Sequence, residues 1–482
     1  MDRFVDGLMA VMHFVLSAKG YLIIYGGLAL LHILLQYTFA LLHGVRLRQI
    51  ADERSKHRRE FSGPVPDSLA VWVPVYQEKL TWLLFCLDRL QKFKFAGRVK
   101  VVVVDDGSYL KQIAKYSHEL TTATGWLPAA LTLQDCRRFL AGLSEYEGAG
   151  LGLKDSQRLE FYLRKRLELL DVFEKYRNKA RFEFVLLAKN VGKRQAQLEA
   201  WRKSQGYKLY GTVDSDTGVN ENAFALLAEN FRNPDVAAAT GYVDVGNWNH
   251  SWLTRLIDMR YWSAFHVERA AQSYWNCVMC CSGPLAVYRA DVVDRVMGQY
   301  VTQTFRNEEC TFGDDRHFTN LILALGLLVL FDPRATCQTE VPTTIRQYIP
   351  QQKRWQMSYY REMLWSLQGL RTHSWYMTYD LTMQFVLPFM LLGGVGVTVH
   401  LAINGNAWLT VGYYVATILA VGFIRSLYPF FARKDLGWGT RRWSQLMFMG
   451  YGVVHITILT PLRFVALFTL IQGGSGWGTR IA

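Results

Sequence analysis

Charged side chains are missing from two long stretches of this sequence of 482 residues. Residues 21–42 contain no Asp, Glu, Lys or Arg, and residues 381–424 form a second uncharged stretch of 44 residues. A helix that crosses a bilayer needs about 20 apolar residues, whereas a helix in a soluble core rarely lacks charge for so long. A turn signal, Asn-Gly-Asn at residues 404–406, divides the second stretch, and a third uncharged run covers residues 443–462. These absences exclude a wholly soluble protein and predict an integral membrane protein.

Basic side chains lie beside the uncharged stretches and predict the orientation of the chain. Cytoplasmic loops of membrane proteins carry an excess of Lys and Arg close to the membrane. We therefore expect residues 44 to about 375 to be cytoplasmic. Residues 4–18 are too short to span comfortably, and we expect them to form an interfacial or short helix rather than a signal peptide. The basic clusters are Arg46, Arg48, Arg54, Lys56, Arg58 and Arg59, and then Arg433, Lys434, Arg441 and Arg442.

Cysteine is scarce, and all seven cysteines lie in the segment predicted to be cytoplasmic. Because the cytosol keeps thiols reduced, a disulfide-stapled fold is not expected. Cys277 and Cys280 have CxxC spacing, but no second pair or nearby His completes a zinc site. Packing is the favoured interpretation of that pair. The seven are Cys86, Cys136, Cys277, Cys280, Cys281, Cys310 and Cys337.

Acidic residues are fewer than basic ones, since 40 Asp and Glu against 54 Lys and Arg give a formal charge of +14. Such an excess indicates nucleic acid, an anionic membrane surface or an anionic substrate. No nucleic-acid-binding motif accompanies the charge, so nucleic acid is not an expected partner. A transporter or receptor with a nucleotide-sensing domain is an alternative, but transporters usually carry ionisable groups within their spans. Here the carboxylates cluster in the middle of the chain, which favours an enzyme.

The middle of the chain alternates apolar strand-like runs with helix-like segments. Four consecutive valines at residues 101–104 are typical of a parallel strand that is buried on both faces. The alternation predicts an α/β fold with a doubly wound sheet, whose ligands bind at the carboxyl ends of the strands. Residues 109–181 form an insertion without an assigned role, which contains an amphipathic helix at 154–179. The predicted strands are 69–75, 99–104, 182–187 and 207–213, and the predicted helices are 78–91 and 193–203.

Pairs of carboxylates follow two of these strands. Asp214 and Asp216 form a D-x-D motif, and alternation along an extended chain places both carboxylates on one side. Two hard oxygen ligands suit a divalent cation that keeps its other positions for phosphate oxygens. Asp105 and Asp106 occupy the equivalent strand end. The sequence therefore predicts a metal and phosphate site at this edge of the sheet.

Basic, acidic and aromatic residues further along the chain add to this site. Lys193 and Arg194 follow a glycine turn at a predicted helix start, where amide groups and positive charge can hold a diphosphate. A second acidic pair, Asp314 and Asp315, can supply a general base for transfer to a hydroxyl. In Gln351-Gln352-Lys353-Arg354-Trp355, the arginine can neutralise a diphosphate and the ring can stack on a sugar. An interfacial helix is the alternative interpretation of that aromatic segment, and the two are compatible.

Taken together and in this order, the motifs resemble a known family. They are similar to those of the processive, inverting, membrane-embedded glycosyltransferases, which include cellulose, chitin and hyaluronan synthases and the rhizobial chitooligosaccharide synthase. Cys281-Ser282-Gly283-Pro284-Leu285, residues 310–316 and the ending Gly476-Trp477-Gly478-Thr479-Arg480 look most like hyaluronan synthases. The motifs that carry the resemblance are Val73-Pro74-Val75-Tyr76, Asp105-Asp106-Gly107-Ser108, Asp214-Ser215-Asp216, Gly313-Asp314-Asp315-Arg316 and the 351–355 segment.

The resemblance implies a GT-A-type cytoplasmic domain fused to transmembrane and interfacial helices, and it implies a role for each matching residue. Asp315, with Asp314 beside it, would act as the catalytic base. The acceptor sugar would contact Ser282, Cys310 and Trp355. Asp214 and Asp216 would hold Mg or Mn and the diphosphate. The nucleotide side would comprise Tyr76 and Asp106 at the uracil, Lys193 and Arg194 nearby, and Arg354, Trp477 and Arg480 closing on the diphosphate.

The family also implies a product and a domain layout. The leading expectation is hyaluronan made from UDP-GlcNAc and UDP-GlcA, and the rival is a chitin or chitooligosaccharide synthase using UDP-GlcNAc alone. Partners would be UDP-sugars, the nascent polysaccharide and the bilayer. A helix break at Pro461 with a short return would keep the C-terminal tail on the cytoplasmic side. The expected regions are 1–43 in the membrane, 44–345 as transferase domain, 346–375 as interfacial helices, 376–472 as membrane channel and 473–482 as tail loop.

Overall fold

The computed structural model describes residues 18–53, 63–117, 131–143, 153–403, 407–433 and 436–473. Two π-helical segments, Ala264–Arg269 and His455–Leu459, continue neighbouring helices. The strands are β1 Ser68–Val75, β2 Arg98–Asp105, β3 Phe182–Leu186, β4 Leu209–Thr212, β5 Gly218–Val219, β6 Val236–Val245, β7 Ala286–Arg289, β8 Thr304–Phe305, β9 Glu308–Glu309 and β10 Leu328–Thr339.

Helices surround the sheet and extend away from it at both ends of the chain. They are α1 Ala18–Glu53, α2 Leu80–Lys92, α3 Leu110–Tyr116, α4 Leu133–Ala141, α5 Leu153–Arg177, α6 Lys193–Arg202, α7 Ala223–Glu229, α8 Trp252–Ser263, α9 Ala270–Tyr274, α10 Ala290–Val301, α11 Asp314–Ala324, α12 Ile345–Gly369, α13 Trp375–Leu401, α14 Ala407–Ala432, α15 Trp438–Val454 and α16 Thr460–Ile471.

An eight-stranded sheet in the order β3-β2-β1-β4-β7-β6-β10-β5 forms the centre of the middle domain. Strands β3, β2, β1 and β4 are parallel neighbours. The valines of β2 at 101–104 are fully buried, as their composition predicts for a strand covered on both faces. The predicted GT-A-type α/β architecture is confirmed. The sheet is mixed, however, because β7 runs antiparallel to both β4 and β6.

The parallel strands bring their carboxyl ends to one edge of the sheet. Val75 at the end of β1 pairs with Asp105 at the end of β2, and β4 runs beside β1 in the same direction. Tyr76, Asp106 and Asp214 follow these three strands and therefore meet at the same edge. The edge is where an open α/β sheet binds its ligands.

The insertion packs against the sheet rather than standing apart from it. Its long helix α5, predicted at 154–179, forms at Leu153–Arg177. Leu159, Leu163 and Phe173 on one face of α5 are at most 1% exposed and belong to the same core as the strand residues. Intervals of four and ten residues bring these three positions to one face of a helix with 3.6 residues per turn, and that face is turned inward.

Three helices are long and apolar enough to cross a membrane among the residues that the structure describes: Gly20–Gln49, Trp375–Leu401 and Trp438–Ile471. A shorter apolar helix covers Ile418–Ala432, and residues 404–406, where we predict a turn, lie outside the described residues. The first helix contacts the later ones, since the Tyr21 hydroxyl donates to the Met390 carbonyl at 2.8 Å and the Tyr37 hydroxyl to the Arg425 carbonyl at 2.6 Å. Most of the N-terminal segment 4–18 also lies outside the described residues.

The expected helix break at Pro461 is wrong. The chain stays helical from Trp438 to Ile471, through the π-helical segment that directly precedes the last helix. Proline lacks an N–H and crowds the preceding turn, and a wider π turn removes part of that conflict without ending the helix. The C-terminal end of this helix nevertheless lies beside the transferase domain, because the Arg306 guanidinium donates to the Ile471 carbonyl and Gly473 lines a cavity together with Cys310.

Candidate active site

The D-x-D motif directs two carboxylates away from the core. Asp214 and Asp216 are half-buried, while Ser215 between them is 7% exposed and turned inward. The Ser215 hydroxyl donates to the Glu78 carboxylate at 2.9 Å, which fixes the orientation of the motif. The extended alternation predicted for this segment is not formed, because residues 214–217 make a turn in which the Thr217 N–H donates to the Asp214 carbonyl at 3.0 Å.

Lys193 joins this motif to the second acidic pair. Its ammonium lies 2.8 Å from Asp214 Oδ1, 2.9 Å from Asp314 Oδ2 and 3.8 Å from Asp315 Oδ1. Burial disfavours the charged amine, but the three carboxylates outweigh that cost and raise the pKa of Lys193 well above its ordinary value. Residues more than 100 positions apart in the sequence are thus held around one cation.

Asp315 sits in the first turn of α11 with its carboxylate fixed by backbone. Its Oδ2 accepts the N–H of Gly283 at 2.9 Å. The backbone approaches closely there, because a Cβ at position 283 would lie 2.9 Å from Asp315 Oδ1 and 3.1 Å from Lys193 Nζ. A larger residue at 283 would therefore displace the ends of the Asp315 and Lys193 side chains, which gives the Ser-Gly-Pro segment a role in the site.

The two acids of this pair differ in their titration. Burial raises the pKa of Asp315 to about 7; Lys193 lowers it, whereas the charges of Asp314 and Asp214 raise it. For Asp314, the attraction of Lys193 and Arg194 overcomes burial and lowers the pKa. Two adjacent carboxyls whose pKa values are pushed apart are suited to different roles, with Asp314 ionised and Asp315 able to exchange a proton near neutral pH.

Asp106 at the end of β2 holds the loop that precedes Lys193. Its carboxylate accepts the N–H groups of Val191 at 2.7 Å and Gly192 at 2.9 Å. Burial nevertheless raises the pKa of Asp106 to about 6, against the effect of those two hydrogen bonds. Tyr76 lies nearby on the adjacent strand end, with its hydroxyl accepting from the Gln77 side chain at 3.2 Å. Both predicted uracil contacts therefore lie at the same edge as the acidic cluster.

Arg194 is turned away from this cleft. It is 7% exposed, and its guanidinium donates to the carbonyls of Tyr300 at 3.3 Å and Phe312 at 3.4 Å. Arg361 on α12 donates to the same Phe312 carbonyl. Two arginines thus fix the segment that leads into Asp314 and Asp315.

A buried charged network under that segment was not predicted from the sequence. Glu362 is fully buried. Its carboxylate accepts hydrogen bonds from Gln303 at 2.9 Å and from Arg361 at 3.0 Å, and it pairs with His317 at 2.9 Å. The available signal was the adjacent Arg361 and Glu362 within an aromatic-rich helix, because charged residues are almost never fully buried unless they are paired. The network joins α12, which carries the 351–355 motif, to α11.

The predicted acceptor residues lie on separate elements of the domain. Trp355 is 42% exposed on α12, with its ring centroid 6.2 Å from that of Tyr261. Arg354 precedes it on the same helix. Cys310 lines a cavity of about 220 Å³ together with Phe305 and Arg361. Ser282 is buried, and its N–H donates to Thr240 at 3.2 Å. Trp477 and Arg480 lie outside the described residues.

The donor set fits a divalent cation held partly by its substrate. Among the described residues, no group of three or more His, Cys, Asp or Glu side chains forms a complete protein site. Asp214, Asp314 and Asp315 surround Lys193, which pairs with all three, and Asp216 lies two residues after Asp214. Two carboxylates with excess negative charge match a hard cation that takes its remaining ligands from phosphate and water.

Comparison with known proteins identifies the family of this chain. Residues 212–428 match the family model described as glycosyl transferase family group 2. Human hyaluronan synthase 3 is 31% identical over 473 residues, which covers 97% of this chain and 78% of that protein. An N-acetylglucosaminyltransferase of Mesorhizobium japonicum is 37% identical over 423 residues, covering 87% and 83%. Among solved structures, a mannosyltransferase from Pyrobaculum calidifontis is 15% identical with a TM-score of 0.46, covering 90% of this chain and 98% of that one.

The resemblance that the motifs carry is thereby confirmed over most of the chain. The matched region of the family model begins at the strand that leads into Asp214 and Asp216 and includes Asp314 and Asp315. The human relative covers 97% of the chain and so extends the similarity to the apolar helices at both ends. The chain is a glycosyltransferase with helices suited to a membrane, and it belongs to glycosyl transferase family group 2.

Proposed function

We propose that this protein is a processive synthase that polymerises β-linked sugars from UDP-sugar donors and exports the polymer through its own membrane helices. The proposed product is hyaluronan, made from UDP-GlcNAc and UDP-GlcA. Hyaluronan synthase 3 of human and mouse, each 31% identical over 473 residues, supports this assignment. The apolar helices at both ends of the chain provide the membrane part.

The observation that carries the proposal is the placement of Lys193 between two acidic motifs. Its ammonium lies within 3 Å of Asp214, on the diphosphate side, and of Asp314, in the pair that contains the proposed base. A transferase needs the leaving diphosphate and the attacking hydroxyl on opposite sides of one sugar carbon. One cation shared by both motifs supports the proposal that both functions belong to one cleft.

Asp315 is the proposed general base. The acceptor hydroxyl gives its proton to the Asp315 carboxylate as its oxygen bonds to C1 of the donor sugar, and the bond from C1 to the UDP oxygen breaks. A single displacement of this kind inverts an α-linked donor to a β-linkage. The Gly283 N–H keeps the Asp315 carboxylate in one orientation during the transfer. Asp314, whose pKa is lowered, stays ionised beside Lys193.

Positive charges are proposed to stabilise the leaving UDP diphosphate. Asp214 and Asp216 would hold Mg or Mn, which when bound neutralises charge on the diphosphate. Lys193 adds a cation beside Asp214. Arg354 on α12, with Trp477 and Arg480 in the tail, would close on the diphosphate after the donor binds. Arg194 would support the site from behind through the Phe312 carbonyl.

The remaining predicted residues take the nucleotide and the acceptor. Asp106 and Tyr76 would contact uracil at the ends of β2 and β1. The exposed ring of Trp355 would stack on the acceptor sugar, with Ser282 and Cys310 near that sugar. This arrangement requires the transferase domain to face the cytoplasm, where UDP-sugars are made, and the polymer to leave through the spans.

A second candidate product is a chitin-type oligosaccharide made from UDP-GlcNAc alone. The relative from Mesorhizobium japonicum that carries the name N-acetylglucosaminyltransferase supports it, because its identity of 37% exceeds the 31% of the human synthase. The two candidates share the same site chemistry and differ in whether a uronate donor is accepted.

Purified protein in detergent with Mg or Mn, given each UDP-sugar alone and then both, tests the proposal. We expect rapid UDP release and long polymer only with both donors, and product that a hyaluronan-specific lyase degrades. Polymer formed from UDP-GlcNAc alone would replace hyaluronan with the chitin-type product. No UDP release with any donor pair would overturn both candidates, provided that the protein remains monodisperse.

A further inference from the structure

The insertion helix α5 reaches the nucleotide edge of the sheet through one fully buried arginine. Arg166 is 0% exposed and lies midway along α5. Its Nη1 donates to Asp105 Oδ2 in a salt bridge whose two side chains are both fully buried. The same nitrogen donates to the Ser108 carbonyl at 3.3 Å. A single side chain from the insertion therefore contacts both ends of the Asp-Asp-Gly-Ser turn.

That turn is also fixed from within and from the neighbouring strand. Asp105 Oδ1 accepts the Ser108 N–H at 3.2 Å, and the Ser108 hydroxyl accepts the Gln77 N–H at 2.8 Å. Gly107 packs so closely on the Lys189 and Asn190 backbone that a Cβ would lie 2.5 Å from it. Asp106, in the middle of the turn, is therefore placed by contacts that meet at Asp105 and Ser108.

An aromatic contact adds a second connection between α5 and this turn. Tyr162 lies four residues before Arg166 and hence on the same face of the helix. Its ring centroid is 5.9 Å from that of Tyr116 in a stacked arrangement and 6.4 Å from that of Tyr109. Tyr109 directly follows the turn and has a φ of 66°. Arg166 and Tyr162 thus hold the turn and its exit.

Stability alone does not explain a buried pair of this kind. Two charges taken out of water are costly, and apolar side chains of similar volume often serve a core as well or better. The Arg166 Nε and Nη2 atoms also find no hydrogen-bond acceptor among the described residues. The pair instead fixes the orientation of the Asp105 carboxylate. A charge-assisted hydrogen bond restricts the position of its acceptor more strongly than apolar contact does.

We propose that Arg166 is a positioning residue of the nucleotide site, and that the insertion serves to hold the Asp-Asp-Gly-Ser turn so that Asp106 faces the nucleoside. The inference rests on the proposed use of a UDP-sugar at this edge. Arg166 acts through Asp105 and Ser108 and does not touch the substrate. Removing it allows the turn to move and weakens nucleotide binding, while the chemistry at Asp315 is left intact.

UDP binding by calorimetry and steady-state kinetics of the full chain in detergent test this role. For Arg166→Met we expect the UDP Kd and the KM for the UDP-sugar to rise about tenfold, as for loss of one charge-assisted hydrogen bond, with kcat nearly unchanged. Arg166→Lys keeps the charge on a shorter side chain, and it should restore part of the affinity. The matched control is Arg164→Met, since Arg164 is exposed on the same helix and pairs with Glu160.

A double variant separates positioning from folding. Arg166→Met alone leaves Asp105 buried without its partner, whereas Asp105→Asn with Arg166→Met removes both charges and keeps the oxygen that accepts from Ser108. We expect the double variant to fold with near-normal thermal stability and still to show the raised Kd and KM. A folded double variant with wild-type Kd and KM would overturn the proposal. If the wild-type protein itself bound no UDP, the proposed function would fail first.

Discussion

The Asp315 carboxylate has a fixed orientation at the residue scale, with one oxygen on the Gly283 N–H and the other towards Lys193. Asp315→Asn keeps the shape of the side chain and removes the proton acceptor. We expect polymer synthesis to fall about 10²- to 10⁴-fold, the usual contribution of a general base. UDP binding should remain, and the exposed Asp291→Asn should behave as wild type. Wild-type turnover in a folded Asp315→Asn protein would show that another group takes the proton.

The raised pKa of the same side chain predicts a pH profile. Burial raises the pKa of Asp315 to about 7. The charge of Lys193 lowers this pKa, whereas the charges of Asp314 and Asp214 raise it. A base must be ionised, so kcat should decrease about tenfold per pH unit below that value and level off above it. A cation bound at Asp214 would shift the midpoint to lower pH. Initial rates of UDP release across buffers of constant ionic strength measure the profile, and a rate that rises on acidification would contradict the assignment.

Gly283 offers a substitution that acts on geometry alone. In Gly283→Ala the new methyl would press on the Asp315 carboxylate and the Lys193 ammonium at about 3 Å, while the backbone can accept alanine. We expect kcat to fall about 10- to 100-fold with thermal stability within a few degrees of wild type, because a displaced base loses alignment. Gly298→Ala is the control, since nothing lies within 4 Å of a Cβ there. Equal activity of the two variants would sink this explanation.

At the scale of elements, α12 is anchored to the transferase domain through Arg361 and Glu362. Arg361→Met would leave Glu362 buried with one charged partner fewer, and breaking a buried pair costs about 3–5 kcal/mol. We expect a clear drop in the midpoint of thermal unfolding, followed by intrinsic fluorescence in detergent. Arg346→Met, on an exposed part of the same helix, should cause little change. An unchanged midpoint in Arg361→Met would mean that the network contributes no net stability.

Elements with a strong local pattern could be predicted from the sequence. Two elements form within a few residues of their expected positions: the valine-rich strand and the helix of the insertion. The first apolar helix also forms where expected, but it extends further towards its C-terminus. Their signal is hydrophobic periodicity and the absence of charge, which are local properties. The D-x-D segment follows a strand as predicted, but it forms a turn rather than an extended segment.

Features that depend on distant partners could not be predicted. Arg166 and Asp105 are 61 residues apart, and Arg361 and Phe312 are 49 apart. An arginine on a helix usually faces solvent, so the burial of Arg166 could not be expected from its residue type. The antiparallel direction of β7 depends on how the chain returns to the sheet, which composition does not encode. The helix continues through Pro461 because a π turn precedes it, and no sequence pattern indicates that turn.

At the scale of the whole molecule, the sidedness of the membrane can be measured with introduced cysteines. Among its own cysteines, only Cys280 is more than slightly exposed, so background labelling should be low. Lys179→Cys lies on an exposed turn of the transferase domain, and Ile403→Cys follows the far end of α13, where Ile403 is 79% exposed. We expect an impermeant maleimide to label position 403 in intact cells and position 179 only after lysis. The reverse pattern would invert the proposed orientation.

The contacts of α1 have a consequence for how the protein is made. This helix enters the bilayer first, yet its polar groups meet their partners much later in synthesis, since Gln36 donates to Asp380 at 3.5 Å across 344 positions and Tyr37 donates to a carbonyl 388 positions away. At about 5–20 residues per second, the ribosome needs roughly 20–80 s to deliver those partners. During that interval the Gln36 amide and the Tyr37 hydroxyl face lipid or another protein. Biogenesis of this enzyme therefore calls for a membrane chaperone or translocon that retains the first helix until the last ones arrive.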